Sequence, residues 1–217
     1  MANDEIAAAL DYHEATKHSL ANVRADRHTL DWQNQPRPFK LYDDLEPIRL
    51  PREHPASVVS ATAAIVAEYP PNEARVPDLA TLAAVLHYAA GITKQLRHPG
   101  GLMPFRAAAC TGALYHIELY VVCGDLPDLD AGVYHFGVHD NALRRLRSGD
   151  FRGSLVAATA QEAAITGAPL TIVCTSNYWR NAWKYQARAY RHCFWDGGTI
   201  LKQWRYARAW YFHAFRQ

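Results

Sequence analysis

Residues 106 to 122 read RAAACTGALYHIELYVV, a run of small residues around Gly112 that passes directly into the apolar pattern of a buried strand. A glycine among alanines lets backbone N–H groups approach a flat ligand or a neighbouring element, and the strand that follows has to be covered. The rest of the chain is therefore organised around a turn feeding a core strand. Taken alone, such a turn serves tight packing more often than ligand binding.

The flanking segments supply the cover. Leu79, Leu82, Ala83, Leu86 and Ala90 recur at helical spacing, with Asp78 as cap and Gly91 as stop, which predicts a helix over Asp78–Ala90 with one buried face. Asn3 or Asp4 caps a first helix running to about Val23, and Ser57–Tyr69 predicts another, stopped by Pro70 and Pro71. Residues 27 to 56 carry Pro36, Pro38, Pro47, Pro51 and Pro55, so they read as an extended arm. Trp32, Phe39, Leu41, Tyr42 and Ile48 are too many apolar contacts for a free linker, and the arm should pack on the domain.

After Gly91, ITKQLRHPGGLMPF reads as a polar loop. GVYHFGVHDNALRRLRSG predicts a hairpin turning at His139–Asn141, its second strand exposed by Arg144, Arg145 and Arg147. Asp150–Ala160 reads as helix, APLTIVCTS as a central strand covered on both faces, and Trp179–Asp196 as one long helix broken by Gly197 and Gly198. Together these predict an α+β domain, with helices over a mixed sheet.

A chain of 217 residues is long enough for one domain with a sizeable core. With 23 Lys and Arg against 21 Asp and Glu, there is no large field to steer nucleic acid or anionic lipid. Cys110, Cys123, Cys174 and Cys193 form no CxxC pair and sit in apolar surroundings, which suggests reduced thiols. No basic leader or membrane-length apolar run is seen, so the expectation is a cytoplasmic protein without membrane attachment.

YHEATKHS invites a zinc-protease reading, but His13 and His18 are five apart, about 140° off alignment on a helix, and cannot share a metal. His135 and His139 lack a third ligand and read as sheet residues, so no metal is assigned. GxxxxGK[ST], GxGxxG and GxSxG are absent, which removes the main sequence support for P-loop enzymes, dinucleotide folds and α/β-hydrolases. In YWRNAWKYQARAYRHCFWDGG, Lys184 and Tyr185 lie among aromatic residues that could desolvate an amine and make it a base. From spacing alone a solvated face carrying Arg180, Lys184, Arg188 and Arg191 is the stronger reading.

Three pieces in order carry a resemblance: YHEATKHS with RPFKLYDDLEPIRLP, then RAAACTGALYHIELYVV with DLDAGVYHFGVHDNALRRLRSGD, then WKYQARAYRHCFWDGG. Over most of the chain to about Leu201 they resemble the SagB-type dehydrogenases, nitroreductase-like flavoproteins that include azoline oxidases of modified peptides. The resemblance implies a nitroreductase-like α+β fold with a mainly antiparallel sheet, a bound FMN, usually a homodimer, and a small-molecule or modified-peptide substrate. It places Cys110, Thr111, Gly112 and Ala113 against the flavin ring, makes Arg106 a candidate for a flavin oxygen or phosphate, and matches the family's proton-transfer pair with Lys184 and Tyr185.

The chain also departs from the family pattern. Cys110 stands where the family has Ser, Ala109 where it has Pro, and no Arg-x-Ser-x-Arg segment is present for the FMN phosphate. The resemblance divides the chain into an N-terminal helix with a proline-rich arm (1–56), a nitroreductase-like FMN-binding core (57–201) and an atypical basic, aromatic tail (202–217). The tail, KQWRYARAWYFHAFRQ, replaces the apolar helix and further strand expected there. Its cations, Lys202, Arg205, Arg208 and Arg216, are too few to argue for nucleic acid without a recognised fold. A frameshift or truncation is one expectation, and with it an alternative function: a flavin-free, inactive interaction protein or remnant.

Overall fold

The computed structural model describes residues 4–54, 60–66 and 76–212. Its main sheet has five strands in the order β1, β6, β5, β4, β7: β1 Pro47–Arg49, β4 Ile117–Cys123, β5 Gly132–Gly137, β6 Ala142–Ser148 and β7 Leu170–Ser176. All its pairings are antiparallel. A separate hairpin joins β2 Ile92–His98 to β3 Gly101–Arg106. The helices are α1 Asp4–Thr16, α2 Leu20–Ala25, α3 Ala61–Val66, α4 Leu79–Ala90, α5 Arg152–Ala158, α6 Ala163–Thr166, α7 Tyr178–Tyr185 and α8 Ala189–Phe212.

The core lies between α4 and the sheet. Leu82, Ala83, Leu86 and Ala90 of α4 meet Leu119 and Val121 of β4, Tyr134 and Phe136 of β5, and Leu143 of β6. Each such large apolar side chain contributes about 1.5–3 kcal/mol by leaving water. The helix starts as expected, with Asp78 Oδ1 accepting from Thr81 N at 2.7 Å, and Gly91 is its C-cap.

Several expectations are corrected. The segment after Gly91 is the β2–β3 hairpin rather than a loop; β2 is exposed along nearly its whole length, so no apolar alternation marks it. The β7 strand lies at the end of the sheet order and is half-buried, not central. In β6, Arg144 is buried and paired with Asp140 at 2.7 Å, because β1 of the arm covers that side. The first helix stops at Thr16, since Ser19 Oγ accepts from Asn22 N at 3.1 Å and caps a new one.

The arm does pack. Trp183 Nε1 donates to Asp31 O at 2.7 Å, Trp32 stacks edge-on against Trp183, and Lys40 Nζ donates to Tyr120 Oη at 2.7 Å. Of Ser57–Tyr69, only Ala61–Val66 falls on described helix; Ser57, Tyr69, Pro70 and Pro71 lie outside the described residues.

The single helix expected over Trp179–Asp196 is two. It breaks at Gln186, where φ is 48°, and continues through Gly197 and Gly198. The α1 helix clasps the break: Tyr12 Oη donates to Ala187 O at 3.0 Å, Arg188 to Thr16 O, and Arg191 Nε to Thr16 Oγ1 at 2.8 Å. The glycines cost α8 about 1 kcal/mol each in propensity, and packing on α4 outweighs that: Ile200 joins the core, and Trp204 lies against Ala84 and Val85. Gly198 is exposed, with open space where a Cβ would stand, so Gly198→Ala should stabilise the chain by about 0.5–1 kcal/mol in urea denaturation. A loss of stability would show that this turn of α8 is not regular helix.

Candidate functional site

The small-residue stretch folds into a 3-10 turn, Thr111–Ala113, immediately before β4. Gly112 lies in the left-handed region, with φ 63° and ψ 15°, and a Cβ there would collide with the Tyr185 hydroxyl. Both conditions select glycine. The structure thus brings Tyr185, at the end of α7, onto the turn. Lys184 is half-buried, its Nζ 5.5 Å from the Tyr185 ring centre. Burial, and then the proximity of Cys110 and Asp196, pushes the Tyr185 phenol above its ordinary range, so it stays protonated at neutral pH.

From α8, Asp196 ties the turn down. Its carboxylate accepts from Thr111 N at 3.1 Å, Thr111 Oγ1 at 2.8 Å, Cys110 Sγ at 3.1 Å and His116 Nε2 at 2.9 Å. Burial pushes this carboxyl up, but the hydrogen bonds from His116, Cys110 and Thr111 outweigh it and hold the group below its ordinary value. Burial and the adjacent Asp196 push the Cys110 thiol up to about 12. Cys110 is therefore a hydrogen-bond donor here and not a thiolate. The donor atoms of Cys110, His116 and Asp196 also lie within 4.8 Å of one another, but their mutual hydrogen bonds already account for the cluster.

Beneath the turn lies a second charged group. Arg180 Nη1 donates to Glu118 Oε1 and to Tyr115 O, each at 2.7 Å, and His135 Nε2 is 3.2 Å from Glu118 Oε2. Arg180 is only 2% exposed and Glu118 3%. Arg106, 7% exposed, lies over the Tyr115 ring at 5.0 Å, and its Nε has no hydrogen-bond partner. Burial lowers the Arg106 guanidinium to about 10, which still leaves it charged at neutral pH. One carboxylate thus faces two buried guanidiniums.

Of the residues expected at the site, Arg106, Cys110, Thr111, Gly112, Ala113 and Tyr185 come together, with Lys184 beside Tyr185. The side-chain donors of Cys110 and Thr111 are already taken by Asp196. Arg180 does not stand on a solvated face with Lys184, and Arg188 and Arg191 hold α1.

A flavin could reach this turn from one side only. The cavity behind the turn, lined by Ala90, Arg106, Ala109, Cys110, Tyr115 and Asp196, measures about 10 Å³ and holds no ring. The outer face is open at Ala109 and Gly112, and the unpartnered Arg106 Nε supplies buried positive charge beneath it.

No family model matches the chain. A Methanocaldococcus jannaschii protein provisionally named a nitroreductase is 25% identical over 124 residues, 57% of this chain and 59% of that relative. A crystal structure from Anabaena variabilis, also provisionally named a nitroreductase, superposes with a TM-score of 0.73 at 28% identity, covering 92% of this chain and 38% of the other. The fold is nitroreductase-like.

Two more distant structures agree on the fold alone. One, provisionally named a nitroreductase, is from Ralstonia eutropha, with TM-score 0.59 and 20% identity over 78% of this chain and 74% of the other. The other belongs to the Escherichia coli microcin synthetase McbBCD complex, solved with truncated pro-MccB17 bound; its TM-score is 0.51 at 16% identity, covering 95% of this chain and 79% of that one. The chain thus spans less than two thirds of the M. jannaschii protein and well under half of the A. variabilis one. Among the described residues no helix is long and apolar enough to cross a membrane.

Within this nitroreductase-like fold, Asp196, His116, Glu118 and Arg180 were not anticipated from sequence. One signal was available: Glu118 interrupts the apolar run HIELYVV, and a carboxylate inside a core strand requires a buried partner.

Proposed function

We propose that the chain is an FMN-dependent oxidoreductase of the SagB type, acting on a small molecule or a modified peptide, as a homodimer. The observation that carries this reading is the contact of Tyr185 with Gly112: the two stretches matched to the family's proton-transfer pair and flavin-facing turn are far apart in sequence and meet in the fold. The microcin synthetase neighbour, solved with a peptide bound, supports the peptide substrate class.

FMN, when bound, would supply a two-electron acceptor for hydride from a substrate carbon. The chain's own residues do the rest. The open face at Gly112 would seat the ring, with Asp196 holding the turn through Thr111. Arg106, buried with its Nε unpartnered, would supply positive charge to an electron-rich ring held at the turn. Lys184 would take the proton that the substrate gives up with its hydride, and Tyr185, kept protonated, would orient the substrate.

Lys184→Ala and Tyr185→Phe should each retain FMN, read from its visible absorbance, while oxidation of an azoline-containing peptide falls about 10²–10⁴-fold. Unchanged turnover in Lys184→Ala would remove the lysine from the mechanism.

A further inference from the structure

Ser176 closes β7, His116 immediately precedes β4, and Asp196 comes from α8. The hydrogen bond from Asn177 N to His116 O, at 2.7 Å, holds the first two segments together. Ser176 Oγ lies 2.9 Å from His116 Nδ1, and His116 Nε2 lies 2.9 Å from Asp196 Oδ2. His116 is fully buried, whereas Ser176 is exposed.

For the neutral imidazole the partners set the proton positions. The Asp196 carboxylate can only accept, so His116 Nε2 carries the hydrogen. A neutral imidazole has one N–H, which leaves a lone pair on Nδ1 and makes Ser176 the donor. This is the polarity in which an imidazole draws a proton from a hydroxyl. The ring is turned over relative to the common triad, Nδ1 rather than Nε2 facing the serine, but each group keeps its role. Cys193 Sγ lies 3.2 Å from Ser176 Oγ, with its S–H within reach of Ala189 O at 3.4 Å. The next helix, α7, begins two residues after Ser176, and its N-terminal end favours negative charge developing nearby.

We propose that Ser176, His116 and Asp196 form a catalytic triad that gives the chain an acyl-transfer activity toward small carboxylic esters. Ser176 Oγ bonds to the ester carbonyl carbon as its proton passes to His116 Nδ1. The bond from that carbon to the alkoxy oxygen then breaks, and the alcohol leaves with the proton. Water, deprotonated by His116, attacks the acyl-serine, releases the acid and restores the Ser176 hydroxyl. Asp196 is the positioning residue, fixing the tautomer and stabilising the imidazolium.

A purely structural network, in which Ser176 only satisfies the buried imidazole, makes the serine no more reactive than any other. The test treats the full chain with a fluorophosphonate probe and with p-nitrophenyl acetate, and maps the adducts by peptide mass spectrometry. The expected result is an adduct on Ser176 in the parent chain and a burst of p-nitrophenol, both reduced about 10²–10⁴-fold in His116→Gln and absent in Ser176→Ala. A parent chain unmodified at Ser176, or equal labelling of His116→Gln, would overturn the triad. The adduct is read on the parent chain whether or not it takes up FMN, so this result stands apart from the flavin reading.

Discussion

Asp196→Ala is expected to cost the fold about 3–5 kcal/mol in chemical denaturation, because it strips a buried carboxylate from four donors at once. The Thr111 amide and the His116 Nε2 hydrogen would be left without a partner in a dry environment. The loss should also be local: the turn that Asp196 pins carries Gly112, so FMN uptake should weaken more than the stability change alone explains. Asp196→Asn, which keeps the shape but presents an amide hydrogen to some of the same donors, should fall between the parent and alanine. A stability within about 0.5 kcal/mol of the parent in the alanine variant would mean that the turn is held by something else.

Glu118→Gln is the second large effect, again about 3–5 kcal/mol, because it leaves Arg180 as an uncompensated buried charge with Arg106 nearby. The same cluster predicts the acid limb of stability. Burial pushes the Glu118 carboxyl up, but the hydrogen bond from His135 and the charge and hydrogen bond of Arg180 outweigh it, so its folded value lies below the ordinary 4.5. The folded value of Asp196 likewise lies below its ordinary 3.8. For carboxyls depressed on folding, the stabilisation is complete above the unfolded values and is lost as pH falls through the folded ones. Stability should therefore hold down to about pH 5 and decline steeply below about pH 4. Glu118→Gln should flatten that decline, and an unchanged acid slope would show that Glu118 is not the titrating group.

Much of the frame was legible in the sequence because it rests on local rules. The α4 helix follows from apolar spacing between an Asp cap and a Gly stop, and the β5–β6 hairpin from its His-Asp-Asn turn. What escaped reading depends on tertiary contact. The β2–β3 ribbon is exposed along most of both strands, and its apolar residues, among them Leu96, Leu102 and Met103, do not alternate with polar ones, so its strands carry no period-two signal. The break at Gln186 is held by α1, which belongs to the other end of the chain. Of the candidate site, the turn and Tyr185 were singled out through the resemblance, and the fold brings them into contact. Asp196 was not, because it meets Thr111 across 85 residues and lies in what reads as one helical surface among aromatics.

The most direct measurement of the flavin reading is a titration of the purified chain with FMN, followed by absorbance and by mass in light scattering. One FMN per chain in a dimer is the expected result, with uptake reduced in Gly112→Ala, whose new methyl group would press on the Tyr185 hydroxyl. A chain that stays colourless and takes up no FMN, whatever its mass, would contradict the assignment of the Gly112 turn as the seat of a flavin.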